Sequence, residues 1–149
     1  MSFRLATVND FIDVTPSRFR CSSYKNSAYP LGCSMSELDS ALGEGDFAVF
    51  NETINVGFIR IKAMFHGIAY LDFHLLSGMA DKEVQSVLSW LSEHYDIGKY
   101  YLQLLPHEQL ELDCLTRLGF TEEARLRDQL FVEGTYCDLI MMGSEDKRV

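Results

Sequence analysis

The sequence predicts an α+β (mixed α/β) domain with one mostly antiparallel sheet of about seven strands and about four flanking helices. Apolar and polar residues alternate in several short runs, the period becomes helical in others, and turn residues separate the runs. The chain has 149 residues, 47% of them hydrophobic, which suffices for one core but is short for two. We therefore expect a single domain over residues 1–143 and a frayed tail over 144–149.

The N-terminal part begins with a short predicted strand and continues with a segment of poor periodicity. Residues 3–6 alternate like a strand, and Thr7 or Asn9 could cap a helix after it. Prolines and serines in residues 15–32 favour irregular helix and loop. A capping box and a glycine stop predict a short helix over residues 34–43.

Residues 46–98 predict three strands and the clearest helix. The predicted strands are Asp46–Phe50, Ile54–Ala63 and Ile68–Leu76. Turn residues join the first two strands into a hairpin. Alternation in the third places Tyr70, Asp72 and His74 on one face. From Asp81 to Gly98 apolar residues recur at helical spacing, which predicts an amphipathic helix.

The C-terminal part predicts a strand, a second amphipathic helix and a closing hairpin. The predicted elements are strand Lys99–Leu105, helix Glu108–Leu118, and strands Glu122–Val132 and Tyr136–Met142.

Composition and charge exclude several classes of protein. The net charge of −9 repels phosphate backbones, so we expect no nucleic-acid partner. No apolar run approaches the ~20 residues of a membrane span, and no signal-peptide core follows Met1, which predicts a cytoplasmic protein without a membrane partner. The cysteines lack metal-ligand spacing, so we expect reduced thiols and no metal site; they are Cys21, Cys33, Cys114 and Cys137.

Two segments near the C-terminus carry a resemblance to a known family. The run Leu118-Gly119-Phe120 lies within residues 117–127, and the hairpin over residues 132–142 contains Tyr136 and Asp138. Together they resemble the GNAT superfamily of acyl-CoA-dependent N-acyltransferases, and most of all its branch that acetylates ribosomal-protein amino termini and small amines. Residues 4–10 and 56–59 are similar to the family's first and third strands, so the resemblance covers essentially the whole chain.

The resemblance implies how acetyl-CoA, as co-substrate, would bind. In the family the fourth and fifth strands splay apart, and the pantetheine arm enters the gap like an added strand. Here the splay would separate residues 73–76 from residues 102–105. The pyrophosphate would lie on N–H groups at the start of the following helix. The implied cofactor-binding residues are Leu75, Leu76, Ser77, Gly78, Met79 and Ala80.

Two features depart from the family pattern. Leu75 replaces a basic or amide residue of the phosphate loop. Asp81 and Glu83 bring negative charge to the helix start, with only Lys82 in partial compensation, and the alternative there is an ordinary Asp-capped helix. The positions of the family's proton-donating tyrosine and cofactor-contacting asparagine hold Leu115 and Glu108. Cys114 beside them is interpreted as a small buried hydrophobe rather than a catalytic thiol.

The candidate catalytic residues are His74 and Asp72, on one face of the fourth strand. Asp72 could bind the charge of a cationic amine while His74 accepts a proton; the alternative is that both are ordinary polar residues. His107 and Glu108 form a second polar pair, for which a helix-start cap is the favoured interpretation.

The sequence therefore predicts an N-acetyltransferase that moves an acetyl group from acetyl-CoA directly to a primary amine. The acceptor would be a small molecule or a peptide terminus, and the protein a monomer or homodimer. The alternative is a catalytically degenerate GNAT-like binding or dimerisation module, which the two departures favour.

Overall fold

A computed structural model describes residues 2–11, 42–78, 80–132 and 134–148 of the chain. Its strands are β1 Phe3–Leu5, β2 Asp46–Asn51, β3 Ile54–Phe65, β4 Ile68–Leu75, β5 Lys99–Leu104, β6 Thr121–Val132 and β7 Thr135–Gly143. Its helices are a 3-10 helix Val8–Phe11, α1 Asp81–Tyr95 and α2 Gln109–Arg117. Most of the helix predicted over residues 34–43, and the loop predicted over residues 15–32, lie outside the described residues.

The seven strands form one sheet in the order β1-β2-β3-β4-β5-β7-β6. Each neighbouring pair is antiparallel except β4 and β5, which are parallel. The expectation of a mostly antiparallel sheet is therefore corrected to a mixed sheet. The reason is that α1 lies between β4 and β5 in the chain, and such a helical crossover returns the chain in its original direction.

The number of helices also differs from the prediction. The described part of the chain contains two α-helices and one short 3-10 helix, not four helices. The run after β1, where Thr7 or Asn9 was expected to cap a helix, forms only the 3-10 turn. The Asp10 carboxylate accepts a hydrogen bond from the Thr7 N–H at 2.8 Å and forms an ion pair with Arg4. These two contacts stabilise the turn.

The main core lies between one face of the sheet and both α-helices. β4 contributes Leu71, Phe73 and Leu75, which are buried against Val84 of α1 and Leu115 of α2. The apolar side chains that recur about every 3.6 residues in the helices and every second residue in β4 therefore pack into one layer. Since successive side chains of a strand alternate, Tyr70, Asp72 and His74 lie on the opposite face.

A smaller apolar cluster covers part of that opposite face. Phe11 of the 3-10 helix stacks on Phe58 of β3 with ring centroids 4.2 Å apart, and Ala48 of β2 completes the cluster. This packing ties the N-terminal segment to the sheet beside the end of β4.

Residues after the expected domain boundary at 143 are hydrogen-bonded to the sheet. The Ser144 N–H donates to Tyr100 O at 3.0 Å, and the Lys147 N–H donates to Gly98 O at 2.8 Å. The tail up to Arg148 therefore contacts the start of β5, whereas the sequence predicts fraying there. Within the described residues, α1 and α2 are each too short or too polar to cross a membrane.

Candidate active site

The site is organised by the point at which β4 and β5 separate. Their parallel ladder joins Ile68–Leu71 to Lys99–Leu102 and ends there, although β4 continues to Leu75. The gap lies beside the last residues of β4, in the region where the family resemblance implies a splay. Backbone groups on the gap side of β4 are thereby available to groups other than a neighbouring strand.

The direction of the backbone groups follows from the pairing of β4 with β3. The Leu76 N–H donates to Val56 O at 2.9 Å, so it points towards β3. Because consecutive N–H groups of a strand point to opposite sides, the Leu75 N–H points into the gap. Gly57 of β3 lies opposite Leu75, and a Cβ atom on this glycine would lie 2.6 Å from His74 O.

Asp72 and His74 lie on β4 immediately beyond the end of the ladder. Both are 2% exposed and lie on the face opposite the main core. Across the β3–β4 ladder, Asp72 is opposite Arg60 and His74 is opposite Phe58. The structure thus brings the two predicted residues together beside the gap, and their catalytic roles remain a prediction.

A row of charged residues crosses the sheet next to this pair. Arg60 Nε lies 2.5 Å from Asp46 Oδ1 on β2, and Arg60 is also the cross-strand neighbour of Asp72. Ion pairing of this kind allows charged side chains to be buried on a sheet face. The polar face of the sheet therefore combines two carboxylates, one guanidinium and one imidazole.

Two glutamates of α2 and its cap bind the ends of the separated strands. Glu111 Oε1 accepts the Leu75 N–H at 2.9 Å, and Glu108 Oε2 accepts the Leu105 N–H at 2.6 Å. Both side chains are buried, with Glu111 7% exposed. Glu108 occupies the N-cap position of α2, but its side chain makes no capping hydrogen bond to the helix and binds Leu105 instead, whereas His107 beside it is exposed.

Sequence reasoning missed Glu111, although one signal for it was present. Glu108 and Glu111 are three residues apart, which places both on one face of a helix. Their partners, Leu75 and Leu105, could not be identified from the sequence because the contacts depend on how the helix lies across the gap.

The start of α1 is arranged differently from the expectation. Ala80, not Asp81, occupies the N-cap position, and no side chain caps the helix there. The Asp81 carboxylate is paired with Arg117 of α2, with Nε 2.5 Å from Oδ2. The charge that was expected to oppose a phosphate is thus neutralised, and the hydrogen bond from Arg117 holds the pKa of Asp81 below its ordinary value.

The six implied cofactor-binding residues occupy distinct environments. Leu75 and Ala80 are buried in the core, whereas Leu76, Ser77 and Gly78 are partly exposed between β4 and α1. A Cβ atom on Gly78 would lie 3.3 Å from Leu110. Met79 lies outside the described residues. The partly exposed loop, not the two buried ends, is the part that a ligand could reach.

Cys114 and Leu115 lie in the core below this loop. Burial, and to a smaller extent the hydrogen bond and charge of Asp81, raise the pKa of the Cys114 thiol to about 12. The thiol is therefore protonated at neutral pH, which agrees with its interpretation as a small hydrophobe. Leu115, at the family's tyrosine position, is likewise part of the main core.

Comparison with known proteins identifies the architecture. No family model matches the sequence, and no curated protein matches it. A GNAT-family acetyltransferase from Streptococcus pneumoniae is 16% identical with a TM-score of 0.67, covering 95% of this chain and 97% of its own. A spermidine N-acetyltransferase variant from Vibrio cholerae is 16% identical with a TM-score of 0.70, covering 97% and 94%.

A third solved structure extends the comparison to a protein substrate. It is a ribosomal L7/L12 alpha-N-protein acetyltransferase in complex with coenzyme A, 15% identical with a TM-score of 0.70, covering 95% of this chain and 91% of its own. Identities this low establish shape rather than activity. The chain described here has the fold of the GNAT acetyltransferases.

Proposed function

We propose that the protein is an N-acetyltransferase that moves an acetyl group from acetyl-CoA to a primary amine by direct transfer. The observation that carries this proposal is the end of the β4–β5 ladder after Leu71 and Leu102, with Asp72 and His74 on β4 just beyond it. A gap between strands suits an extended chain of amides, and the two polar side chains beside it suit an amine.

The residues around the gap fit acetyl-CoA in two respects. The Leu75 N–H points into the gap, where a ligand carbonyl oxygen could accept it in place of Glu111 Oε1. The first turn of α1 has no side-chain cap, and the Arg117 guanidinium lies beside it, 3.4 Å from Gly78 O, so the uncapped N–H groups could bind phosphate oxygens even though Asp81 and Glu83 make this turn acidic. Leu76, Ser77 and Gly78 would form the reachable part of the cofactor site, between the buried ends at Leu75 and Ala80.

The chemistry assigned to Asp72 and His74 follows from their charge and position. Asp72 would hold the amine as an ammonium ion, and His74 would take one proton from it directly or through water. The amine nitrogen then bonds to the acetyl carbonyl carbon while the carbon–sulfur bond breaks. The nitrogen gives up its second proton in this step, and because position 115 is a leucine, that proton would reach the leaving thiolate through water.

A cationic acceptor suits the charge of the chain. The net charge is −9, and the similar structures include enzymes for spermidine and for a ribosomal protein terminus. Both relatives modify amines, and a negatively charged protein attracts such acceptors at long range. We therefore propose a small polyamine or a peptide terminus as the acceptor class.

An acetylation assay with purified protein tests this proposal. Acetyl-CoA is supplied with polyamines and short peptides, and both free thiol and acetylated product are measured. His74→Gln should lower kcat/KM by about 10²-fold, and Asp72→Asn should mainly raise KM for a cationic acceptor. His94→Ala is the matched control because this histidine is exposed in the last turn of α1. Full activity in both β4 variants would contradict the assigned roles.

A second candidate is a degenerate GNAT-like module that binds a partner without catalysis. The observation that favours it is the Glu111 carboxylate on the Leu75 N–H, because this contact occupies a donor that the transfer reaction would use. The absence of CoA binding at millimolar concentration would support the module over the enzyme.

A further inference from the structure

We propose that Glu111 occupies the subsite on β4 that the carbonyl oxygen of an extended acyl-CoA ligand uses, so that the ligand must displace the carboxylate. The inference rests on the proposed function for the identity of the ligand. It adds a specificity-determining residue on α2 that controls whether the gap accepts acyl-CoA.

The geometry of the contact carries the first step. The Leu75 N–H is directed into the gap because the N–H of the next residue, Leu76, is bonded to β3. Glu111 Oε1 lies 2.9 Å from this nitrogen. A backbone donor makes one good hydrogen bond at a time, so a ligand oxygen and the carboxylate compete for it.

The charge of Glu111 decides the strength of the competition. A hydrogen bond to a carboxylate is roughly twice as strong as one to a neutral carbonyl. The Glu111 side chain is only 7% exposed, so water does little to weaken the contact. A neutral amide or thioester oxygen would therefore bind Leu75 only after Glu111 has moved, and this requirement lowers the affinity of the site.

A second contact keeps α2 in place when Glu111 leaves. Glu108 Oε2 accepts the Leu105 N–H at 2.6 Å, and the Glu108 N–H donates to Leu105 O at 3.0 Å. These bonds hold the start of α2 to the chain after β5. The displacement therefore requires a change of rotamer at Glu111 and does not require the helix to detach.

Calorimetric titration of the full chain with coenzyme A tests the proposal, with pantetheine as a second ligand that lacks the nucleotide. Glu111→Ala should bind both ligands about tenfold more tightly than the unmodified protein. Glu111→Gln should show a smaller gain, since its neutral side chain can still accept the Leu75 N–H. Asp113→Ala is the matched control, because Asp113 is an exposed carboxylate of α2 bonded to Gln109, and it should stay within twofold.

The rise in melting temperature on adding coenzyme A is a readout that a purely structural role of Glu111 would not move. Without ligand, Glu111→Ala should melt at a lower temperature because the buried Leu75 N–H loses its acceptor. Saturating coenzyme A should raise its melting temperature more than that of the unmodified protein, since the ligand then supplies the acceptor. Should Glu111→Ala fail to fold, Glu111→Gln and the change in amide exchange at Leu75 on adding coenzyme A decide the question.

The outcomes separate this inference from the proposed function. Equal affinities for the unmodified protein and the Glu111 variants, or weaker binding by folded variants, would overturn the inference and leave the proposed function standing. Coenzyme A binding by Glu111→Ala alone would support the inference. No binding by any variant would overturn both.

Discussion

Asp81 and Arg117 join the first turn of α1 to the last turn of α2, although 36 residues separate them in the chain. Nε and Nη2 of the guanidinium bond to the two carboxylate oxygens at 2.5 and 2.9 Å. Such a bidentate pair has a fixed geometry, which orients Arg117 beside the start of α1. Arg117 therefore turns an acidic helix start into one that tolerates an anion.

Replacing Arg117 by alanine should weaken coenzyme A binding about fivefold, because Asp81 then faces the phosphates without its partner. A loss of this size is usual for a charge at a helix end. Affinity for pantetheine, which has no pyrophosphate, should be unchanged in calorimetric titration. Arg125→Ala is the matched control, since Arg125 forms an exposed ion pair with Glu122 on β6. Equal losses of affinity for coenzyme A and for pantetheine would contradict phosphate binding at the start of α1.

The Cys114 thiol should make stability fall at alkaline pH. Its pKa is raised from 9.0 to about 12 in the folded protein, chiefly by burial. Between these values the unfolded chain releases a proton that the folded chain retains. The free energy of unfolding therefore falls as pH rises through this window, by up to about 1.4 kcal/mol per pH unit from this group.

Chemical denaturation of the protein and of Cys114→Ala between pH 8 and pH 11 measures this effect. The variant should be less stable at pH 8 by about 1 kcal/mol through lost packing, yet its stability should decline less steeply with pH. Its acetyl-transfer rate per folded molecule should stay within a few-fold. Parallel pH profiles would contradict the burial of the thiol, and a hundredfold loss of turnover would make the thiol catalytic.

Gly98→Ala should displace the C-terminal tail. A Cβ atom at this position would lie 2.6 Å from Arg148 Cγ and 2.9 Å from the Arg148 nitrogen. We expect a loss of about 1 kcal/mol in thermal unfolding, on the scale of a strained contact plus the lost bond between Lys147 and Gly98. Gly43→Ala is the control, since a Cβ there meets nothing within 4 Å.

Combining Gly98→Ala with removal of residues 147–149 tests the cause of that loss. If the methyl group acts only on the tail, the glycine substitution should cost nothing further once the tail is removed. Additive losses would mean that the substitution damages the loop before β5 instead.

Most of the secondary structure could be predicted because the spacing of apolar residues along the sequence reflects which side chains are buried. The helix expected from Asp81 begins there in the structure, and the closing hairpin differs from its prediction by one residue at three of its ends. The prediction of a mostly antiparallel sheet did not include the parallel pairing of β4 and β5, although a helix that connects two neighbouring strands is typical of parallel strands. Alternation also placed Asp72 and His74 on one face, as the structure has them.

The contacts around the gap could not be predicted because they join side chains distant in sequence. Glu111 meets Leu75, and Arg117 meets Asp81, each across 36 residues. In the sequence each of these charged residues is typical of a solvated helix surface, and nothing local distinguishes a buried glutamate from an exposed one. Only the crossing of α2 over the ends of both strands gives them their partners.

The close approach of Gly57 to β4 bears on the strand register, and so on which face of the sheet carries the polar residues of the site. Sliding β4 by one position along β3 would turn Asp72 and His74 towards the helices and send Phe73 to the other side. The contact with His74 O, 2.6 Å from where a Cβ would stand, leaves room for hydrogen alone at the residue opposite Leu75. The glycine at position 57 therefore favours the register that places Asp72 and His74 on the face opposite the helices.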